Sequence, residues 1–236
     1  MEVMQRIRRR FHQACADYRL LEDGDRVLVA LSGGKDSRML VRLLGEQARL
    51  FVPRIDVAAA HVVMDNIAYH SPTQSLEAYC ADYGVPFHLL HASFDATTDH
   101  RHTPCFLCAW NRRKALFQFA QQNGFNKLAL GHHQDDFLVT YLMNITFEGR
   151  AETMQPLMQM EHYPLQVIRP LCLVEEEWIR AEDKPLQIVT GDEPTLCPHE
   201  TTTQRAALTK VFHHLEALNP EARYSLWRAA TQVHKN

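Results

Sequence analysis

The sequence predicts an α/β fold: a parallel, twisted sheet with helices on both faces and helical additions at both ends. Three observations carry this. Short apolar runs alternate with segments of helical period along most of the chain. Two of these runs, VLVAL (27–31) and LAL (128–130), end in glycine and a polar cluster that opens a helix, SGGKDS and GHHQDD. No repeat, long linker or low-complexity tract breaks the pattern, and 236 residues suffice for one large core with small appendages.

Apolar positions Met4, Ile7, Phe11, Cys15 and Tyr18 give residues 3–20 a helical period, broken by Asp23, Gly24 and Asp25. Their seam can pack on the chain's own core or on a second subunit, so a homodimer is open. A strand is expected at 27–31, then a helix with Met39, Leu40, Leu43 and Leu44 on one side. Further strands are expected at 55–63, 85–90, 127–130, 165–169 and 186–189. Helices are expected at 72–83, from 105 to about 122, at 135–144 and at 175–183. Two more, at 203–217 and 220–232, flank Asn219 and Pro220. This divides the chain into an amphipathic helix (1–24), an α/β domain (25–200) and C-terminal helices (201–236).

Hydrophobic residues make up 46% and the net charge is −3, so no global basic signature of nucleic-acid binding exists. Local patches do: Arg8, Arg9 and Arg10 near the start, and Arg112 and Arg113 after Cys108. No apolar stretch approaches the ~20 residues that span a bilayer. Residues 1–10 lack the apolar core of a secretory signal. A cytosolic location without membrane attachment is expected. Six cysteines in that setting are thiols or ligands rather than a disulfide framework; Cys15, Cys80 and Cys172 sit in apolar surroundings and are expected in the core.

In SGGKDS, Gly33 and Gly34 allow a tight turn that brings amide groups close to a ligand. A helix beginning there adds unpaired N–H groups and the positive end of its dipole. Together with Lys35 and the hydroxyls of Ser32 and Ser37, this makes a phosphate cradle. In GHHQDD, Asp135 and Asp136 would oppose phosphate unless a cation such as Mg²⁺ intervenes, or else they cap the helix. His132 and His133 stand at the same helix start. Both clusters are expected beyond the carboxyl ends of their strands.

SGGKDS resembles the pyrophosphate loop of the PP-loop ATP pyrophosphatases, which cleave ATP between the α and β phosphates. GHHQDD resembles the GHHxDD signature of tRNA-modifying members, and Arg169 stands in an RPL element like theirs. The resemblance implies a nucleotide site of Ser32, Gly33, Gly34, Lys35, Asp36, Ser37, His61, Gly131 and His132, with Lys35, Asp36, Asp135 and Arg169 in catalysis. Asp135 and Asp136 are candidate ligands for Mg²⁺.

Cys105 and Cys108 open a helix followed by Arg112 and Arg113, a setting that favours thiolate. With the late Cys197, this order resembles the tRNA 2-thiocytidine biosynthesis (TtcA) family over about residues 5–215. The resemblance implies a 4Fe–4S cluster on Cys105, Cys108 and Cys197, tRNA as substrate, and a cysteine desulfurase or other sulfur donor as partner. The family's late motif is commonly CxxC and glycine, whereas Pro194 and Pro198 stand here, and the chain is short for the family. His199 leaves a Cys₃His zinc site as the rival. The expected activity is ATP-dependent thiolation of a nucleobase carbonyl, cytidine C2 first. The alternatives are a zinc-containing enzyme with another sulfur acceptor and a non-catalytic ATP- or metal-binding sensor.

Overall fold

The computed structural model describes residues 2–50, 52–95, 103–195, 197 and 204–232. Its centre is a six-stranded sheet built from β1 (Arg26–Ala30), β2 (Asp56–Met64), β3 (Phe87–Ala92), β4 (Lys127–Ala129), β5 (Leu157–Gln159) and β6 (Gln166–Ile168). The strand order is β3-β2-β1-β4-β6-β5. Every pairing is parallel except the edge pair β5–β6.

The helices are α1 (Val3–Asp17), α2 (Lys35–Ala48), α3 (Thr73–Asp82), α4 (Pro104–Gln122), α5 (Gln134–Met143), α6 (Glu176–Glu182), α7 (Gln204–Leu218) and α8 (Ala222–Gln232). One apolar layer joins α1, α2 and α6 to one sheet face, and a second joins α4 to the other. Met4, Ile7, Phe11 and Ala14 of α1 are buried in the first layer, so the amphipathic seam packs on the chain's own core.

Two expectations are corrected. Residues 186–189 form no strand; Ile188 and Val189 are exposed, and the Val189 amide donates to Ser75 Oγ at 3.0 Å. The antiparallel strand β5 closes the sheet edge instead, and a π-helical turn, Asn144–Glu148, extends α5.

The amino ends of β1 and β4 are locked by a buried ion pair, Lys127 Nζ to Asp25 Oδ2 at 2.8 Å. Lys127 also donates to Leu20 O, and Asn126 Nδ2 to Asp25 Oδ1. Burying two charges is tolerable only with such full pairing. The lock holds β1 and β4 in register, so the loops at their opposite ends, Ser32–Gly34 and Gly131–His133, face each other across the point where the strand order reverses.

Candidate active site

Gly33 adopts φ +92°, which only glycine takes without strain, and Gly34 caps α2. The hydroxyls then order themselves. Ser37 Oγ donates to Gly34 O at 2.9 Å, so Ser32 Oγ donates to Ser37 Oγ at 3.1 Å, and the Gly34 amide points to Ser32 Oγ at 3.4 Å. This closed ring rigidifies the turn and leaves the first amides of α2 for an anion.

Gly131 brings the second loop against this turn. A Cβ there would lie 3.0 Å from Ser37 N and 3.1 Å from the Asp36 carbonyl carbon. Between the loops lies a cleft of about 440 Å³ lined by Ser32, Asp36, Ser37, Gly131, His132, Asp136 and Arg205. A smaller, largely apolar recess adjoins it and shares Ala30 and Ser32 with it; Leu31, Ala60, His61, Val62, Arg112 and Leu116 complete its wall.

The ionisable groups around the cleft are paired. Lys35 Nζ lies 2.8 Å from Glu176 Oε1 and 3.1 Å from Asp36 Oδ2. Burial opposes ionisation of Glu176, but Lys35 and Arg180 outweigh it and hold its carboxyl at about 2. Asp36 is raised, by burial first, and its Oδ1 is a buried acceptor with no hydrogen-bond donor. His133 sits among Asp36, Asp136 and Asp135 at 3.8, 3.5 and 3.8 Å.

Asp135 and Asp136 divide their work. Asp136 Oδ2 caps α5 by accepting the His133 amide at 2.9 Å, and its Oδ1 pairs with Arg205 of α7. Asp135 is turned away from the cleft. Arg223 of α8 grips it at 2.8 and 3.1 Å, and the Glu176 amide adds a third bond at 2.8 Å. Its acceptor sites are thus occupied by protein donors, which leaves Asp36 and Asp136 as the carboxylates facing the cleft. Mg²⁺ commonly uses one or two carboxylates plus phosphate oxygens, and the donorless Asp36 Oδ1 fits that need.

Arg169 is buried and donates from Nε to His132 Nδ1 at 3.1 Å and from Nη1 to Gln155 O at 2.5 Å. Burial and then Arg113 lower its pKa to about 10. Burial also lowers His132, to about 4, so this imidazole is neutral near pH 7 and Nδ1 is its acceptor. His61 has both nitrogens committed, Nδ1–H to Leu31 O at 2.7 Å and Nε2 to Ser71 Oγ at 2.6 Å. It contributes a wall of the recess rather than a ligand-binding nitrogen.

Cys105 and Cys108 lie on the first turns of α4, capped by Thr103 Oγ1, with Cys105 exposed and Cys108 half-buried. Cys197 follows the Thr195 loop, also half-buried. Burial raises the Cys108 thiol; Arg112 opposes this, while Cys197 and Cys105 add to it. The expected bias toward thiolate is therefore reversed at Cys108. Thiols that raise one another as anions are those a cation would relieve. Among the described residues no three His, Cys, Asp or Glu side chains stand close enough to hold a single metal ion. Tetrahedral zinc needs sulfurs about 3.8 Å apart, from Zn–S bonds of about 2.3 Å. A 4Fe–4S cluster is ordinarily held by cysteine thiolates, one per iron, so the three thiols are chemically apt ligands for it. His199 lies outside the described residues.

The arginine patches are partly absorbed by the fold. Arg8 forks onto Glu46 at 2.9 Å twice, and Arg112 turns inward to Tyr69 at 2.6 Å. Arg10 reaches Gln13, whereas Arg9 and Arg113 are exposed. Sequence reasoning missed Glu176, Arg205 and Arg223.

The PP-loop domain family matches residues 3–188. The chain belongs to the PP-loop family. Within that family it is 33% identical, over 98% of its length and 85% of the relative's, to the tRNA-cytidine(32) 2-sulfurtransferase of Pseudomonas syringae pv. tomato. The Bdellovibrio bacteriovorus protein of the same name is 32% identical over 97% of the chain and 88% of the relative. The chain is thus a PP-loop protein of the branch that holds these enzymes. Among solved structures, the U34-tRNA thiolase NcsA of Methanococcus maripaludis, determined with its 4Fe–4S cluster, shares the fold. The TM-score is 0.75 at 22% identity, covering 99% of this chain and 80% of that one. Among the described residues no helix is long and apolar enough to cross a membrane.

Proposed function

We propose that this PP-loop protein is an ATP-dependent tRNA sulfurtransferase that adenylates a nucleobase carbonyl, cytidine C2 first, and replaces its oxygen with sulfur. The observation that carries the reading is the position of Arg112. It lines the recess beside Ser32, and its positive charge acts on the Cys108 thiol, so the phosphate cradle and the thiols share one end of the sheet.

ATP lies with its phosphates against the first amides of α2 and Lys35, and its base toward the recess walled by His61 and Val62. Asp36 and Asp136 are the residues that would hold Mg²⁺, which would neutralise charge on the phosphates. The C2 oxygen attacks the α-phosphorus; a new O–P bond forms as the bond to pyrophosphate breaks. Lys35 and the cradle amides stabilise the charge on the departing pyrophosphate, and Arg169, oriented by neutral His132, holds the α-phosphate oxygens. A sulfur nucleophile then adds at C2 and the C–O bond breaks, so AMP leaves with the original oxygen.

Cys105, Cys108 and Cys197 are the residues that would hold a 4Fe–4S cluster, which supplies sulfide at its open iron when bound. Arg9 and Arg113 contact RNA phosphates, a cysteine desulfurase or another donor provides sulfur, and the protein acts in the cytoplasm. The test is anaerobic turnover with tRNA and Mg–ATP, followed by nucleoside mass spectrometry. AMP, pyrophosphate and a thiolated nucleoside appear together. AMP formation that ignores tRNA, or a colourless protein carrying stoichiometric zinc, rejects the reading.

A further inference from the structure

The loop that carries Cys197 is fastened more tightly than a connection requires. Asp192 is only 3% exposed. Its Oδ1 meets His70 Nε2 at 3.1 Å, and its Oδ2 accepts the Ser75 amide at 2.8 Å and hydroxyl at 2.6 Å. Three residues later the Thr195 amide donates to His70 O at 3.1 Å, and the His70 amide donates to Thr195 Oγ1 at 2.6 Å. This double clasp ends two residues before Cys197.

The same short segment, residues 69–75, also holds the helix of the other two thiols. Tyr69 OH accepts from Arg112 Nη2 at 2.6 Å, and the guanidinium lies 5.5 Å from the Tyr69 ring centre. The charge of Arg112 in turn opposes the burial that raises the Cys108 thiol. A buried carboxylate is costly unless donors surround it, and an apolar side chain would anchor a plain loop with less penalty. What Asp192 adds is a fixed register between the loop and segment 69–75.

We propose that Asp192 is a positioning residue that holds Cys197 in reach of Cys108 and Cys105. The inference deepens the reading of the three thiols as cofactor ligands, yet its geometry is testable on the bare thiols. The full-length protein is oxidised anaerobically with diamide, which takes two electrons and two protons from each thiol pair as the disulfide forms. Peptide mass mapping then gives the rate at which Cys197 joins Cys108 or Cys105. The wild type cross-links fast, and Asp192→Ala slows by about tenfold or more, the loss expected when charge-assisted bonds go. Asp192→Asn, which keeps an acceptor for Ser75, falls between. Thermal melting and ATP binding check that each variant is folded, and should Asp192→Ala fail to fold, Asp192→Asn and Ser75→Ala carry the test. Iron and sulfide content after reconstitution is read alongside. Loss of cross-linking without iron in either protein keeps Asp192 in its role and removes the cluster reading. Cross-linking of the folded variants at the wild-type rate, or none in the wild type, overturns the proposal whatever the iron content.

Discussion

Replacing Arg223 by Met tests whether the C-terminal helices are part of the site. Arg223 makes two bonds to Asp135, a third to Glu216 Oε1 at 2.8 Å, and lies 4.9 Å from the Phe212 ring centre. The Arg223 and Asp135 side chains are 16% and 5% exposed. Burial would raise the Asp135 carboxyl, but Arg223 more than reverses this and the group ends below its ordinary value. Removing one partner of such a pair costs about 3–5 kcal/mol. At about 2–4 °C per kcal/mol for a chain this long, Tm should fall by roughly 6–20 °C.

The sign with pH is specific. In the wild type, a depressed folded value gives Asp135 a stabilising contribution that is present above the unfolded carboxylate range and lost as pH falls below it. In Arg223→Met, burial acts unopposed, the folded value rises above the unfolded one, and acid relieves the penalty. Differential scanning calorimetry from pH 7.5 to 4.5 should therefore show the Tm gap narrowing. Arg223→Met with Asp135→Asn should recover most of the loss, because no uncompensated charge stays buried. A gap of less than 2 °C at pH 7 (roughly the shift from 1 kcal/mol), a gap independent of pH, or a double variant worse than the single refutes this account.

Three further outcomes are expected. Gly131→Ala places its Cβ 3.0–3.2 Å from backbone atoms of Asp36 and Ser37, which cannot yield as a side chain would; about 1–3 kcal/mol of stability should be lost and KM for ATP should rise. Lys35→Met should lower the rate of AMP formation by about 10²–10³ with little change in Tm, because its pair with Glu176 is partly solvated; a Tm fall with unchanged rate contradicts its place at the phosphates. His132 has a folded value near 4 against about 6.5 unfolded, so stability should drop as pH falls from 6.5 toward 4 and level off below. His132→Gln should flatten that slope in pH-dependent melts, while an unaltered slope assigns it to another group.

The parts of the site legible in the sequence are those fixed by local backbone rules. Gly33 and Gly34 announce a turn, the apolar runs announce the strands that carry it, and Gly131 ends the second. The cysteine spacing likewise pointed to α4, although burial of Cys108 reversed the expected direction of its acidity. β5 was not legible, because three residues bounded by irregular chain show no alternation. The apolar run at 186–189 misled for the opposite reason: Ile188 and Val189 lie on the surface, and the Val189 amide goes to Ser75 Oγ rather than to a neighbouring strand. Arg205 and Arg223 meet their partners 69 and 88 positions away, through packing of α7 and α8 on α5. No local period encodes such a meeting.

The electrostatics of the cleft follow from those distant arginines. A cradle made only of amides and Lys35 would be strongly positive, yet Asp36, Asp135, Asp136 and Glu176 crowd the same helix starts. Lys35 is balanced by Asp36 and Glu176, Arg205 by Asp136, and Arg223 by Asp135 and Glu216. In the proposed function, phosphate entering the cleft exchanges partners: Lys35 would move from Glu176 to phosphate, and Asp136 would pass from Arg205 to a cation. Arg223 has no such exchange to make, because Asp135 faces away. The result is a site in which one carboxylate–arginine pair is structural and its neighbour is exchangeable, although the two aspartates are adjacent in the chain. Consecutive residues at a helix start point in different directions, and that alone separates a fold-holding charge from one left facing the nucleotide.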